Sequence, residues 1–288
     1  MDFHAKKIGQ IGMNKLLLAT GFVPMLWGNL ALAAYQDEVL ADNPVAYYRF
    51  EETSGTTAKD TTLNANDGTY VNGVLINQAS APNLGKAARF DGINDYVSTP
   101  RTVSTSFTLE LWIKTTATSL TGTDAYEGNG LLWSDVGGPA NDFVMAMLNN
   151  GLSFFTGNPD VSVTSAIAIN DGRWHHLVAT RTQGANIEIF VDGISRGTTT
   201  TNNNPLDANP SIMIGGNVLD SRYFSGLIDE VAYYPTVLSV ARIRAHFQAG
   251  SGSSSSVTSV PTLGEWALAG LIAFLALVGV YGLRQQRT

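Results

Sequence analysis

FTLELWIKT, residues Phe107–Thr115, alternates strictly: Phe107, Leu109, Leu111 and Ile113 against Thr108, Glu110, Trp112 and Lys114. A period of two belongs to an extended chain with one face on a core, so a half-buried β-strand is predicted here. The same signals recur on either side. Phe143–Met147 and Leu152–Phe155 flank Asn149-Asn150-Gly151, which predicts a hairpin with the glycine supplying positive φ. His176–Thr180 and Ile187–Val191 flank Gln183-Gly184-Ala185, a second hairpin, and Asp192-Gly193 makes a tight turn into Ile194. Ser211–Gly215 and Leu227–Tyr233 read as further strands, with Thr, Asn and Gly dominating the connections. Ser239 can cap one helix over Val240–Gln248, with Ile243 and Phe247 on one face and Gly250 stopping it. No strand–helix–strand alternation occurs. The expected fold is all-β, a two-sheet antiparallel jelly-roll sandwich with one short C-terminal helix.

The two ends are different material. MDFHAKKIGQIGMNK is polar with three lysines, Leu16–Ala33 is mostly apolar, and Ala31 and Ala33 are the small residues a signal peptidase needs at −3 and −1. Residues 1–33 are therefore predicted to be a signal peptide, with Ala34 beginning the mature chain; cleavage after Ala34 is the alternative. At the other end, residues 250–259 (GSGSSSSVTS) form a linker composition that builds no core. Ala267–Leu283 carries no charge, is long enough to span a membrane with Trp266 at its interface, and is followed by Arg284 and Arg287, which hold the C-terminus on the cytoplasmic side.

Of the 17 basic and 24 acidic residues, Lys6, Lys7, Lys15, Arg284, Arg287, Asp2 and Glu265 lie in the end segments, which leaves a body (34–249) of net charge about −10. An acidic surface is a poor ligand for a phosphate backbone, so no nucleic-acid partner is expected. The chain has no cysteine, which excludes disulfides and thiol catalysis.

Six segments in order resemble one family: AYYRFEETSGTTAKD (Ala46–Asp60), ARFDGINDYV (Ala88–Val97), FTLELWIKT, DGRWHHLVATR (Asp171–Arg181), IEIFVDG (Ile187–Gly193) and FSGLIDEVAYYPTVLS (Phe224–Ser239). Together they look like the LamG-like jellyroll of the concanavalin A-like lectin/glucanase superfamily, from about Tyr35 to Gly250. The resemblance implies a sandwich of two curved sheets, one structural Ca²⁺, and a binding or adhesion role outside the cell. It carries the ion to Asp229, in the strand GLIDEV, and to the carbonyl of Gly92, in the turn FDG. Asp60, which opens the turn DTTLNANDG, is a further candidate ligand on its own chemistry.

The tail has its own resemblance. Val260, Pro261, Thr262, Leu263 and Trp266, then the span 267–283 and the basic tail 284–288, are similar to the IPTL-CTERM sorting signal of Gram-negative bacteria. This implies an exosortase-type transpeptidase as partner, beside the signal peptidase at the front. Without processing, the same tail is an inner-membrane anchor with the body outside the cytoplasm.

Catalysis finds no support. Glucanases of this fold use an E-x-D-x-x-E strand, and no such run occurs around Glu110 or Glu188; no G-x-S-x-G occurs either. His175 and His176 are adjacent on a strand and point to opposite faces, so packing and hydrogen bonding are expected of them rather than ligation. With His246 alone elsewhere in the body, a zinc site is not expected. The loops Thr116–Gly130 and Thr198–Asn209 hold no fixed motif; Tyr126, Trp133 and Tyr223 lie on or near loops and are the candidates for stacking on a sugar. The expected function is a non-catalytic surface or secreted module for a glycan or an extracellular protein. Two alternatives remain: a structural matrix subunit without a small ligand, and a divergent glycan-active hydrolase or lyase.

Overall fold

The strand Phe107–Lys114 lies in the middle of its sheet and is buried on both faces, with Lys114 its sole exposed residue. The expectation of a half-buried strand is corrected here, because helices cover the face opposite the core. The computed structural model describes residues 34–252. The signal peptide with Ala31 and Ala33, the sorting motif 260–266, the span 267–283 and the basic tail lie outside the described residues, as does most of the linker.

In chain order the described elements begin with helix α1 (Tyr35–Ala41) and strands β1 (Ala46–Tyr48), β2 (Thr57–Ala58), β3 (Gly68–Val71), β4 (Leu75–Ala79), β5 (Lys86–Asp91), β6 (Tyr96–Pro100) and β7 (Phe107–Lys114). A 3-10 turn, Ala125–Glu127, precedes β8 (Asn129–Ser134), β9 (Phe143–Leu148), β10 (Gly151–Thr156), β11 (Val161–Ala168) and β12 (Trp174–Thr182). The series closes with β13 (Asn186–Val191), β14 (Ile194–Thr200), β15 (Ser211–Ile214), β16 (Ser225–Tyr234) and helix α2 (Val240–Ser251).

Two antiparallel sheets of eight strands form the layers. The helix-side sheet runs β14-β13-β12-β7-β16-β5-β4, with β1 also paired to β16. The loop-side sheet runs β11-β10-β9-β8-β15-β6-β3-β2. This is the expected all-β sandwich. Its main core lies between the sheets, where Phe107, Leu109, Leu111 and Ile113 of β7 meet Phe143, Met145, Leu152 and Phe154.

A second apolar cluster lies on the outer face of the helix-side sheet. Trp112, Val178, Phe190, Ala232 and Tyr234 project from strands onto Tyr35 and Val39 of α1 and Ile243 of α2. Ser239 caps α2 as expected, its side chain accepting from the Arg242 N–H. The stop differs: Gly252, at φ 67°, ends the helix. Gly250 sits inside the last turn because a Cβ there would come within 2.4 Å of the Trp112 ring. The sequence pattern does not reveal α1, which has no side-chain N-cap and is held by the burial of Tyr35 and Val39 at i, i+4.

The hairpin β9–β10 forms with a different division of labour from the one expected. Asn149 and Asn150 take the positive φ values (52° and 64°) of a two-residue turn, and Gly151 opens the strand. Gly151 is needed for close approach, since a Cβ would lie 2.1 Å from the Ser165 carbonyl oxygen. In the second hairpin Gly184 takes φ 70°, and Asp192 and Gly193 take 55° and 73° in the tight turn.

Candidate functional site

The loops at one end of the sandwich are tied together around a buried cation. Arg181, near the end of β12, is wholly buried. Its guanidinium donates to the carbonyls of Thr105, Asn202 (2.9 Å) and Asn204 (2.8 Å) rather than to a carboxylate, and burial pushes it down to about 10. Asparagines continue the lacing: Asn202 Nδ2 donates to the Asn158 carbonyl (3.0 Å), and Asn141 Oδ1 accepts from Asn158 and Asn204 (3.2 Å each). Asn209 Nδ2 donates to the Asp135 carbonyl at 3.1 Å. The loops between β8 and β9, β10 and β11, and β14 and β15 thus form one rim.

Two acids stand in that rim. Asp135 accepts from the Gly137 N–H at 2.8 Å, and Asp142 accepts from the Val136 N–H at 3.3 Å through Oδ2. Asp142 is 2% exposed and its Oδ1 is buried without a donor. Burial, and next the Asp135 carboxyl beside it, push Asp142 up to about 7. Gly157 packs closely against Ala140 and Asp142, since a Cβ would lie 2.2 Å from the Ala140 carbonyl oxygen and 2.3 Å from Asp142 Oδ1. Two neighbouring carboxyls, an orphaned oxygen and a converging carbonyl make an oxygen-only donor set of the kind a hard cation takes. Among the described residues no three His, Cys, Asp or Glu side chains converge on a metal-sized point, so an ion here would also use main-chain oxygen and water.

The family model of the concanavalin A-like lectin/glucanases superfamily matches residues 91–244, more than half of the chain and the whole run from the end of β5 into α2. The chain belongs to this superfamily. The IPTL-CTERM motif matches residues 258–287, over the tail. No curated protein matches the chain. Among solved structures, the binding domain of Paraclostridial Mosquitocidal Protein 1 is similar, with TM-score 0.58 and 16% identity over 73% of this chain and 53% of that one. Domain 4 of AbnA, a GH43 extracellular arabinanase from Geobacillus stearothermophilus in complex with arabinotriose, has TM-score 0.56 and 21% identity over 71% and 98%. Botulinum neurotoxin type C, whose cell entry depends on interaction with two ganglioside molecules, has TM-score 0.55 and 12% identity over 74% and 52%. The chain spans about half the length of these two toxin chains (53% and 52%).

In this superfamily member the three calcium ligands expected from sequence do not meet. Asp60 spends both oxygens on its own neighbourhood, accepting from the N–H groups of Tyr47 (2.9 Å), Thr62 (2.9 Å) and Asn66 (2.8 Å). Gly92 turns the chain beyond Asp91, which pairs with Ser225, four residues before Asp229 along β16. At strand rise that is about 13 Å. Asp229 is wholly buried and accepts from the Ser80 hydroxyl and the Glu230 N–H (2.7 Å). Next to it, Glu230 takes φ 53° where β16 bulges against β7, accepts from the Tyr47 hydroxyl and pairs with Arg49 (3.3 Å). Burial pushes both acids up, Glu230 to about 8 against the pull of Arg49, and the Glu230 charge raises Asp229 further.

The expected sugar platform is corrected as well. Trp133 is fully buried in β8, packed with Val144, Ala146 and Phe155. Tyr126 sits edge-on to Phe155, with ring centroids 5.2 Å apart. Tyr223 is 8% exposed and lies on Gly216, where a Cβ would meet its ring at 2.3 Å. Gly130 joins the two groups, being within about 3 Å (3.0 and 3.1 Å from its Cβ position) of Trp133 and Gly216. The three aromatics share one side of the loop-side sheet, but as the packed underside of the loop Thr116–Gly130. Arg222 pins that loop by donating to the Tyr126 carbonyl, and Asn129 Nδ2 donates to the Tyr223 carbonyl at 2.9 Å.

Glu110, isolated in sequence, is the centre of a buried polar cluster. Its carboxylate accepts from Tyr35 (2.7 Å) and Tyr234 (2.6 Å) and lies 2.6 Å from His176 Nε2 and 3.0 Å from His246 Nδ1. Burial alone would raise Glu110; the two histidines outweigh it and hold the carboxyl well below its usual range. Burial would lower His246, and Glu110 and Asp42 raise it instead. Both Glu110 and its partners are sealed beneath the helices, so the cluster fastens α1 and α2 to the sheet. His175 points the other way, with Nδ1 2.9 Å from Asp192 and Nε2 3.0 Å from Asp171.

Proposed function

We propose that this chain is an exported, non-catalytic binding module that recognises a glycan or an extracellular protein through the loop rim around Asp135 and Asp142. The observation that carries this reading is the orphaned Asp142 oxygen beside a second carboxyl, in a rim of asparagine-laced loops. A Ca²⁺ fits these donors far better than it fits Asp229, Gly92 and Asp60. When bound it would supply positive charge and open coordination positions to the hydroxyl or carboxylate oxygens of a ligand. The similar solved structures are toxin chains and an arabinanase domain, described respectively as a binding domain, as ganglioside-dependent and as complexed with arabinotriose, in keeping with such a role. The test is a glycan array, with a polysaccharide hydrolysis and lyase screen, on the full chain with and without Ca²⁺. Binding without turnover is expected. Turnover overturns the non-catalytic reading, and silence in every arm favours a structural subunit.

The ends supply delivery. Signal peptidase cleaves after Ala33, and an exosortase-type enzyme removes the tail, leaving the body at the cell surface or outside the cell. The mature mass in cells with and without the transpeptidase tests this. A full-length tail in both makes 267–283 a permanent inner-membrane anchor.

A further inference from the structure

Another cleft, of about 540 Å³, opens on the outer face of the helix-side sheet. It lies between the C-terminal turn of α2, the start of β12, the β13–β14 turn and the segment around Asn83. It is far from the rim. Trp174 and Arg181 lie seven residues apart on β12, about 23 Å at strand rise. Loss of the rim therefore leaves the cleft intact.

Its walls are aromatic. Trp174 and Phe247 are half-buried, and Phe247 stacks on the indole of Trp112, with centroids 6.0 Å apart and planes at 17°. Trp112 lines the cleft, is 1% exposed, and its indole N–H is buried without an acceptor. The charges at the cleft cancel locally. Arg173 pairs with Asp171 at 3.2 Å, and His175 is held between Asp171 and Asp192. Asn83 Nδ2 donates to the Ala249 carbonyl at 3.2 Å, and its side chain stands at the edge. Aromatic faces, amide and carboxylate edges and no uncompensated charge fit a neutral polyhydroxy ligand better than a phosphate or an acidic peptide. The volume is within the range of small-ligand sites and takes a few sugar units.

We propose that this cleft binds a neutral oligosaccharide, stacked on Trp174 and Phe247 and hydrogen-bonded by Asn83 and Asp192. The inference rests on the glycan form of the reading above and assigns it a site separate from the rim.

The probes are neutral tri- to hexasaccharides of glucose, mannose, xylose and arabinose, titrated into the full chain by calorimetry and tryptophan fluorescence. Binding of at least one is expected. Trp174→Ala should weaken it roughly tenfold or more and Asn83→Ala severalfold, while Asp142→Asn leaves it unchanged. Melting curves exclude misfolding, and Trp174→Phe should restore most of the affinity. Binding that survives Trp174→Ala and Asn83→Ala but disappears in Asp142→Asn overturns the cleft and leaves a glycan site at the rim. Binding of charged polysaccharide or peptide alone, or of no probe, also overturns the cleft.

Discussion

Asp142 faces Asp135 with one of its carboxylate oxygens buried and unpartnered, an arrangement that is unstable when both acids are ionised. Asp142→Asn should therefore stabilise the cation-free protein. Millimolar Ca²⁺ should stabilise the wild type by about 1–3 kcal/mol and leave Asp142→Asn unmoved. Thermal melts in EDTA and in Ca²⁺ read both signs. Equal responses of the two proteins to Ca²⁺ would remove the rim as a cation site.

Glu110 is a fastening point for both helices. Glu110→Ala leaves His246 and His176 without their carboxylate and should cost about 3–5 kcal/mol in urea unfolding. Glu110→Gln keeps one acceptor oxygen and the side-chain volume and should cost less. A loss below about 1 kcal/mol for the alanine variant would show the cluster to be incidental.

The buried acids and His246 set a pH dependence with a definite sign. Folding raises Asp142 to about 7, Glu230 to about 8, and His246 above its ordinary value. Each raised group contributes stability that is full below its unfolded value and is lost as pH rises through the folded one. Glu110 is depressed, so its contribution holds above about pH 4.5 and is lost on acidification. Without divalent cations the melting temperature should peak near about pH 5 and fall toward pH 8. Ca²⁺ should recover part of the loss at pH 8. A melting temperature that rises from pH 5 to pH 8 in EDTA would contradict the assigned burial.

The β9–β10 turn separates two uses of polar and small residues. Gly151→Ala should cost about 1–3 kcal/mol through its clash with Ser165. Asn150→Gly keeps the backbone and loses the side-chain bonds to Ser119 and Asn170, a cost of about 1 kcal/mol. Denaturant midpoints of the two variants decide the order. The reverse order would return the left-handed position to Gly151.

The strands were readable because a two-residue period reports directly on a face and a core. Phe107–Lys114 and the hairpin at Gly184 are found where that period places them. What the period does not carry is the second covering layer. Trp112 and Glu110 look solvent-facing in the alternation, and they are buried because α1 and α2 come from the two ends of the body to lie on them. The candidate site escaped for a related reason. Asp142 is one acid among many in sequence, and its role depends on Asp135, Ala140 and Gly157 closing around it. Trp133 and Tyr223 misled because nearness to a loop says nothing about which side of the loop a ring occupies.

Arg242 of α2 pairs with Glu38 (2.6 Å) and Asp42 (2.8 Å) beside α1, and β1 is zipped onto β16. The first fifteen residues of the body bond early partners at Asp60 and Asn66, but their sheet and helix partners come only with the last thirty. A polypeptide that emerges N-terminus first must leave β1 without its sheet partner and α1 without its helix partner until residue 251 has followed.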